Sequence, residues 1–357
     1  MKRFAMPGGL PLIRTLSATL ALCVSVLHAQ PANPANRVPL FLTATNGSTN
    51  YLAVVNTRTH QVSYVPTGGN GGAGGNAGGV AVSGEMAAVV NFGSSNVTIF
   101  ARRGDSMQAA QMITTSSKPV SVAFGHDHLF VLGQTAVQSF AMPGNMVSAN
   151  ADGSVSLIKG DGTAGQIVSF DGGVMYTETS GDIGMIGVGI PGLAGPSVPV
   201  ALPAAPNNDT PLGMIGRGAN VYVTIAHSDL EALVVGGKIV STATGPTPFK
   251  DASGNLLHAP CWNALAGQFL YSADSPGKQL LRYLVSDSNV FFDKGAVATL
   301  GGAPTDLAVV GNMLGVIDGG DASGANASVF DISPEGELSL QFSVKIGSAI
   351  NGAAFIR

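Results

Sequence analysis

Two histidines and two carboxylates of this sequence lie at the ends of predicted strands, where they could come together and perform acid–base chemistry. His227 follows one predicted strand and His258 precedes another, with Asp274 and Glu178 at the ends of further strands. A histidine beside a carboxylate acts as a general base at neutral pH, because the carboxylate fixes the imidazole tautomer and raises its basicity. We therefore predict a catalytic set of His227, His258, Asp274 and Glu178, suited to activating water for attack on an ester. Solvated loop residues are the simpler alternative for both histidines.

Attack on an ester also requires hydrogen-bond donors for the carbonyl oxygen that becomes negatively charged. Candidate donors are Asn91, Lys278 and the backbone amides of a glycine-rich loop that contains Gly74 and Gly75. Further polar groups at strand ends are expected to contact a substrate. The predicted substrate-binding residues are Asn91, Lys278, Asp306, Asp318, Gly74 and Gly75.

The same oxygen-bearing side chains allow a second interpretation, a hard cation such as Ca²⁺ held on a common axis. Hydrogen bonds that cap strand ends and loops are the simpler role for them, so no metal and no cofactor are predicted. No H-x-x-x-H or paired-cysteine pattern favours zinc, and no G-x-S-x-G element indicates a serine hydrolase. The oxygen ligands considered are Glu178, Asp274, Asp306, Asp318, Asn46 and Asn91.

Cys261 stands beside Trp262, the one tryptophan of the chain, at the start of a predicted strand. A cysteine in such a position is expected to be buried and packed. Because His258 precedes it by three residues, a catalytic thiol is the alternative.

The stretch "GGNGGAGGNAGGVAVSG", residues 68–84, contains G-x-G-x-x-G at Gly69, Gly71 and Gly74. This pattern binds a pyrophosphate when a helix follows it, because the helix N-terminus supplies the amides and the dipole. Here alternating β-branched residues follow, which predicts a strand and a turn. Residues 68–79 are therefore expected to be a loop that joins two strands, with glycine allowing a close approach to a central channel. The functional alternative is that its amides stabilise an oxyanion at the channel mouth.

A repeat of short apolar strands and turns runs along the chain. Its copies are spaced by 42 to 50 residues, close to the period of four-stranded propeller blades. A β-sandwich would not give such regular copies. The copies are "GGVAVSGEMAAVVN" from Gly78, "VSVAFGHDHLFVLG" from Val120, "QIVSFDGGVMYTET" from Gln166, "PLGMIGRGANVYVTIAH" from Pro211, "CWNALAGQFLYSAD" from Cys261, "TDLAVVGNMLGVID" from Thr305 and "NGAAFIR" from Asn351.

The seventh copy supplies only an inner strand, and its missing strands are present near the other end of the chain, in 38–45, 51–56 and 61–66. The sequence thus predicts an all-β, seven-bladed propeller of four-stranded antiparallel blades, closed by a blade that N- and C-terminal strands share. In this fold, loops that enter inner strands and loops that leave second strands lie on one face. His227 and His258 fall on that face, and His60, His126 and His128 fall in turns on the opposite one.

The N-terminus resembles an export signal, with Lys2, Arg3 and Arg14 before or around an apolar stretch at 16–27. We predict a signal peptide at 1–29, a linker at 30–37, a propeller at 38–357 and a periplasmic or secreted protein. Cleavage removes three of the 17 basic residues and none of the 21 acidic ones, which leaves a net charge of −7. An acidic chain without basic runs is not expected to bind nucleic acid or anionic membranes. A monomer is expected.

Several segments resemble the lactonase-like seven-bladed propellers, the superfamily of 6-phosphogluconolactonases and carboxymuconate cyclases. They are "TGGNGGAGGNAGGVAVSG", "FGSSNVTIFARRGD", "SSKPVSVAFG", "APCWNALAGQFLYSADSPGKQLLRYLV", "GAPTDLAVVGNMLGVID" and "SPEGELS", and the likeness spans 38–357. The resemblance implies the propeller fold and a lactone-opening hydrolase.

The known substrates of that superfamily are anionic, which would require basic groups near the mouth, whereas the arginines of this chain fall in strands or turns away from it. Phosphorylated sugars are also not expected outside the cytoplasm, so phosphogluconolactonase itself is not predicted. The expected function is hydrolysis of an uncharged or weakly charged lactone or ester. The alternative is a non-catalytic propeller that binds a polymer or a partner protein.

Overall fold

Seven antiparallel sheets of four strands surround a central channel. The computed structural model describes residues 37–144, 146–203, 209–248, 250–321, 324–347 and 349–357. Within these ranges there are 28 strands, and the only helical pieces are single 3₁₀ turns at Phe92–Ser94 and Ala226–Ser228. The predicted all-β, seven-bladed propeller is confirmed.

Blades are numbered here from the one that contains the N-terminal strands. Blade 1 contains β1 (Leu40–Ala44), β2 (Tyr51–Asn56), β3 (Val62–Pro66) and β28 (Asn351–Ile356). Blade 2 contains β4 (Val80–Ser83), β5 (Met86–Asn91), β6 (Asn96–Arg103) and β7 (Ser106–Thr114). Blade 3 contains β8 (Pro119–Gly125), β9 (His128–Gly133), β10 (Ala136–Ala141) and β11 (Gly153–Ser156).

The remaining four blades follow the same order along the chain. Blade 4 contains β12 (Ala164–Phe170), β13 (Gly173–Glu178), β14 (Asp182–Gly189) and β15 (Gly192–Val200). Blade 5 contains β16 (Pro211–Arg217), β17 (Asn220–Ile225), β18 (Leu230–Val235) and β19 (Lys238–Thr244). Blade 6 contains β20 (Pro260–Ala266), β21 (Phe269–Asp274), β22 (Gln279–Val285) and β23 (Val290–Thr299). Blade 7 contains β24 (Pro304–Val310), β25 (Met313–Asp321), β26 (Gly324–Ile332) and β27 (Leu338–Gly347).

The ring closes in blade 1, where the last strand pairs with the first. β28 runs antiparallel to β1, with Leu40 opposite Ile356 and Leu42 opposite Ala354. β28 is the inner strand of this blade, so the chain ends next to the channel. The predicted sharing of one blade between the two ends of the chain is therefore confirmed, and no inner or second strand of the ring is left with a free edge.

The core is a set of apolar layers between neighbouring blades. Each of the seven blade interfaces in the described chain has one buried hydrophobic cluster. Between blades 1 and 2, for example, Leu42 and Leu52 pack with Val80, Val89 and Phe100. Because strand side chains alternate between the two faces of a blade, both faces of the inner strands are buried, and the strands read as nearly continuous apolar runs.

The glycine-rich loop joins β3 to β4, as predicted, and no helix follows it. Asn46 organises this loop: its Oδ1 accepts hydrogen bonds from the amides of Gly72 (2.7 Å) and Ala73 (3.0 Å), and its Nδ2 donates to the Ala73 carbonyl (2.7 Å). A Cβ at Gly71 would lie 2.3 Å from the Asn46 backbone, so only glycine fits there. The G-x-G-x-x-G pattern is therefore a packed crossing between blades.

Two buried ionisable side chains tie the closing blade to its neighbours. On the face where inner strands begin, which we call the mouth face, Asp306 of β24 accepts hydrogen bonds from the amides of Gly78 (2.8 Å) and Ala353 (3.1 Å). On the opposite or far face, Arg102 donates to the carbonyls of Ile356 (2.8 Å) and Val38 (2.6 Å). Both termini of the described propeller are thus fixed by charged hydrogen bonds.

None of the helical segments in the described ranges has the length or the apolar character to cross a bilayer. The predicted signal peptide at 1–29 and most of the predicted linker lie outside the described residues.

We expect Asp306→Asn to destabilise the ring. An amide nitrogen in place of one carboxylate oxygen would face backbone N–H donors, and a buried donor without an acceptor costs about 1–3 kcal/mol. Urea unfolding followed by circular dichroism should show this loss. Asp331→Asn, a carboxylate paired with Gln341 at the surface, should change the unfolding free energy by less than about 0.5 kcal/mol. Equal midpoints for the two variants would contradict the role assigned to Asp306.

Candidate active site

Two cavities lie on the propeller axis. The channel, with a volume of about 360 Å³, is lined by the seven inner strands. A second cavity of about 360 Å³, which we call the mouth pocket, lies beneath the glycine-rich loop. It is bounded by that loop and by residues of blades 1, 5, 6 and 7: Ala73, Gly74, Gly75, Asn76, Leu212, Cys261, Trp262, Ser275, Ala303, Thr305, Ile350 and Asn351.

His258 and Asp274, two of the four predicted catalytic residues, are joined by a hydrogen bond. His258 lies on the loop that enters blade 6, and its Nδ1 is 3.0 Å from Oδ2 of Asp274, at the end of β21. Asp274 is fully buried, and its Oδ1 accepts from the amides of Ala259 (3.0 Å) and Gly277 (3.2 Å). Gln279 donates to Oδ2 at 2.7 Å. The carboxylate is therefore held rigidly, and it fixes the proton on Nδ1 and leaves Nε2 as the basic atom.

The imidazole of His258 is accessible, with its side chain 20% exposed. Within the described chain, Nε2 has no hydrogen-bond partner. Cys261, three residues along the chain, and Ser275, the neighbour of Asp274, both line the mouth pocket. His258 and Asp274 do not line the pocket themselves, and they adjoin it through these chain neighbours.

Asp229 is a further carboxyl at this junction that the sequence analysis missed. It ends the 3₁₀ turn just before the third strand of blade 5, in a left-handed conformation (φ 52°), and neither carboxyl oxygen has a hydrogen-bond partner in the described chain. Burial raises the pKa of Asp229 to about 7, with the charge of His258 lowering it and that of Asp274 raising it. In the sequence Asp229 has the signature of a solvated turn residue, and only the packing of blade 5 on blade 6 buries it.

The other two predicted catalytic residues are engaged elsewhere. Glu178, at the end of β13, accepts hydrogen bonds from the amides of Lys159 (3.0 Å) and Gly160 (2.7 Å) and so caps a loop of its own blade. His227 is exposed on the 3₁₀ turn of blade 5, and its Nδ1 is 2.7 Å from Oγ1 of Thr210. Of the four predicted residues, the described structure joins two, His258 and Asp274, by a hydrogen bond.

Two of the predicted binding residues hold strand ends together. Asn91 is fully buried; its Oδ1 accepts from Asn50 (2.9 Å) and its Nδ2 donates to Asn96 (2.7 Å). Asp318 is also buried and accepts from Nδ2 of Asn326 at 2.8 Å. These contacts connect strands and blades, which is the capping role considered above as the simpler interpretation.

The remaining predicted binding residues divide into three settings. Asp306 is the buried residue of blade 7 that bonds to Gly78 and Ala353, as described above. Burial raises its pKa to about 6, although hydrogen bonds from three backbone amides lower it. Lys278 is exposed in a tight turn at φ 50°. Gly74 and Gly75 line the mouth pocket, and a Cβ on either would meet no atom within 4 Å. Asp306 lines the channel, and of the predicted binding residues the two glycines line the mouth pocket.

The Cys261 thiol is packed and donates to the carbonyl of Ala259 at 3.1 Å. Burial raises its pKa to about 11, so it carries almost no thiolate at neutral pH. The structure therefore favours the packed cysteine over the catalytic thiol.

The far-face histidines differ from the prediction in one respect. His60 is exposed and stacks on Phe342 with ring centroids 4.1 Å apart. His128, predicted in a turn, is instead the first residue of β9 and is buried. Its Nε2 is 3.0 Å from Asp152, and its Nδ1 contacts the carbonyl of His126. The turn occupies only His126 and Asp127, because the strand begins one residue earlier than the alternation indicated.

Within the described ranges, no arginine places its guanidinium group at the mouth face. Arg217 donates to the carbonyl of Gly267 (2.7 Å) and Arg282 to that of Glu335 (3.2 Å), both in far-face turns. Each described arginine either lies in a turn or at a strand end of the far face or extends its side chain to such a turn. These residues are Arg37, Arg58, Arg102, Arg103, Arg217, Arg282 and Arg357. This placement does not suit recognition of a phosphosugar at the mouth.

No group of three or more His, Cys, Asp or Glu side chains in the described ranges is placed to hold a metal ion. The carboxylates considered for an axial Ca²⁺ instead accept hydrogen bonds from their own surroundings.

Comparison with solved structures agrees with this architecture. A protein from Lactobacillus plantarum superposes with a TM-score of 0.67 at 11% sequence identity, covering 90% of this chain and all of the other. A structure described as a putative 6-phosphogluconolactonase from Bacteroides fragilis gives 0.63 at 12% identity, covering 92% and 100%. The periplasmic gluconolactonase of Pseudomonas aeruginosa gives 0.63 at 15%, covering 90% and 99%. This chain shares the fold of these structures.

The resemblance stated from the sequence is thus confirmed at the level of the fold. Searches against protein-family models and against curated proteins find no match. At identities of 11–15%, the lactonase-like propeller fold carries no assignment of substrate or catalytic residues.

We expect Cys261 to be chemically inert in the native protein. A pKa two units above the ordinary thiol value lowers the thiolate fraction roughly 100-fold, and burial adds a steric barrier. Labelling with iodoacetamide at pH 8, followed by peptide mapping that separates Cys261 from Cys23, should show slow modification unless urea is added. Equal labelling rates in native and unfolded protein would contradict the packed thiol.

Proposed function

We propose that this protein is a lactonase-like hydrolase that opens an uncharged or weakly charged cyclic ester at the mouth pocket, with His258 as its general base. The single observation that supports this most is the His258–Asp274 pair, whose carboxylate is buried and fully hydrogen-bonded while Nε2 of the imidazole has no partner. This arrangement provides a base with a fixed tautomer, close in sequence to residues that line the mouth pocket.

Donors for the developing oxyanion are present in the same cavity. The amides of Gly74 and Gly75 have no hydrogen-bond acceptor within the described chain, and both residues line the mouth pocket. Nδ2 of Asn351 is buried there without an acceptor. Unpartnered N–H groups fixed by a rigid backbone are the kind of donors that stabilise a tetrahedral oxyanion. These groups replace Asn91 and Lys278 as the proposed donors.

The proposed reaction is hydrolytic. Nε2 of His258 takes a proton from water as the water oxygen bonds to the lactone carbonyl carbon, which becomes a tetrahedral oxyanion. The ring C–O bond then breaks, and His258 returns the proton to the leaving alkoxide, which gives a hydroxy acid. Asp274 stabilises the imidazolium throughout, and Gln279 keeps that carboxylate in place.

The size of the pocket favours this function over a binding propeller. A volume of about 360 Å³ is within the range of small-molecule sites. A propeller that binds a polymer or a protein would use a broad, shallow surface. The acidic mature chain and the far-face arginines favour a substrate without phosphate. Export to the periplasm or the medium is proposed from the N-terminal sequence.

Screening the purified protein against γ- and δ-lactones and simple esters tests the proposal. We expect His258→Gln to lower kcat/KM on the best substrate by roughly 10²- to 10⁴-fold, because the general base is lost. Glutamine still offers a donor to Asp274, so the melting temperature should change little. The fall in rate towards acidic pH, where a protonated imidazole cannot act as a base, should be weaker in this variant.

His60→Gln is the matched control, since His60 is exposed on the far face, and it should retain full turnover. His227→Ala should have a smaller effect than His258→Gln, because Nδ1 of His227 pairs with Thr210. Full activity in His258→Gln would show that the base is elsewhere. Binding of lactones without turnover would favour the non-catalytic propeller.

A further inference from the structure

A second polar cluster is buried between blades 5 and 6, deeper than the His258–Asp274 pair. It consists of Asp229 and Glu231 on the blade 5 side, and Asn263, Ser272 and Tyr283 on the blade 6 side; we call these five the interblade cluster. None is more than 4% exposed. Asn263 donates from Nδ2 to Oε1 of Glu231 at 2.7 Å, which joins the two blades.

The register of the strands directs the other side chains to the same interface. Ser272 lies directly opposite Asn263 in the β20–β21 pair, so both side chains are on one face of blade 6. Tyr283 is on that face too, packed with Leu233 of blade 5. Burial and the nearby charges of Glu231 and Asp229 raise the pKa of the Tyr283 hydroxyl well above its usual value.

The cluster contains six buried oxygen atoms without a hydrogen-bond partner. They are both carboxyl oxygens of Asp229, Oε2 of Glu231, Oδ1 of Asn263, Oγ of Ser272 and the Tyr283 hydroxyl. Buried polar atoms in folded proteins are almost always satisfied, so six in one place indicate an occupant. Every unpartnered atom is an oxygen, and two of the five side chains are acids with no basic side chain bonded to them in the described structure.

The internal repeat shows that the fold does not require this polarity. At each blade interface, a residue in the third strand of one blade faces a residue in the inner strand of the next blade. The pairing of the strands shows which residues occupy this same position in each of the seven blades. Glu231 and Asn263 are one such pair. The other six pairs are apolar and share a buried cluster: Leu52 with Val80, Val97 with Val122, Val137 with Ile167, Ile183 with Met214, Leu280 with Leu307 and Ala327 with Ala353.

We propose that the interblade cluster binds one hard divalent cation, Ca²⁺, between blades 5 and 6. The donors are oxygens alone, the set that Ca²⁺ prefers over softer metals. The charge of the ion balances the two carboxylates, which otherwise would be buried without a counter-charge. The cluster contains only two acidic side chains, and its other donors are neutral oxygens. It is therefore not one of the groups of three or more His, Cys, Asp or Glu side chains considered above. The site adjoins the proposed base, His258, whose charge acts on Asp229, but it does not include that residue.

A bound proton is the competing explanation. A proton on Oε2 of Glu231 would bond Oδ1 of Asn263 and close a ring with the existing Nδ2–Oε1 hydrogen bond. That explanation satisfies two of the six oxygens and leaves both hydroxyls and Asp229 without partners. The cation accounts for the whole set.

Metal content and thermal stability test the proposal without any assay of activity. Purified protein is stripped with EDTA, exchanged into metal-free buffer and incubated with Ca²⁺ or Mg²⁺. We expect mass spectrometry to find one Ca²⁺ per chain after desalting. We also expect the melting temperature to rise with Ca²⁺ by roughly 3–6 °C at 100-fold excess over the dissociation constant, since the ion binds only the folded chain.

Glu231→Gln should abolish both the bound Ca²⁺ and the rise in melting temperature, each measured against the same variant in EDTA. Glu178→Gln is the matched control: Glu178 is equally buried, but both its oxygens accept backbone amides. It should keep the full response to Ca²⁺ even if its own stability falls. Absence of stoichiometric metal from the wild-type protein, or a full Ca²⁺ response in Glu231→Gln, would overturn the proposal. An unresponsive wild-type protein that Glu231→Gln stabilises would assign the cluster to a bound proton.

Discussion

The antiparallel pairing of β28 with β1 is the interaction on which the remaining structure depends. Each blade buries its two faces against its neighbours, so a ring with one open junction would expose two apolar faces at once. Asp306 at the mouth face and Arg102 at the far face fix the two strands of that junction to adjacent blades. Two of the few charged residues of the chain thus lie where the ring closes. The cost of removing their charged side chains from water is offset by hydrogen bonds to the backbone.

Closure also determines what the two faces of the ring can bind. The turns of the far face contain the arginines, whereas the mouth face has the glycine-rich loop, His258 and several buried carboxyls. Asn46 holds the loop in place, so that Gly74 and Gly75 line the mouth pocket beside apolar side chains such as Leu212 and Trp262. A pocket with loop amides, mostly apolar side chains and no guanidinium group of the described chain suits a small neutral carbonyl compound better than a phosphorylated one.

The junction of blades 5 and 6 is where this chain departs from its own repeat. Elsewhere the equivalent positions are filled by aliphatic pairs, which shows that the propeller is stable without polar groups there. Burying Asp229 and Glu231 opposes folding unless something compensates their charge, and natural sequences tolerate such conflicts mainly at functional sites. His258 and Asp274 lie at the same junction, and their charges act on Asp229. The interblade cluster and the His258–Asp274 pair therefore adjoin each other.

Periodicity alone determined the fold of this protein. Apolar alternation and a period near 45 residues fixed seven blades, the split blade and the face on which each loop lies, because these follow from the local geometry of strands and turns. The pairing of His258 with Asp274 was also predictable, since adjacent loops of one blade are close in any propeller. The packing of Cys261 was likewise expected, whereas only the tertiary structure decided that Glu178 caps a loop and that Asp229 and Glu231 are buried. The burial and the hydrogen-bond partners of a side chain depend on which residue of the neighbouring blade packs against it. The spacing of residues within one blade does not determine that contact.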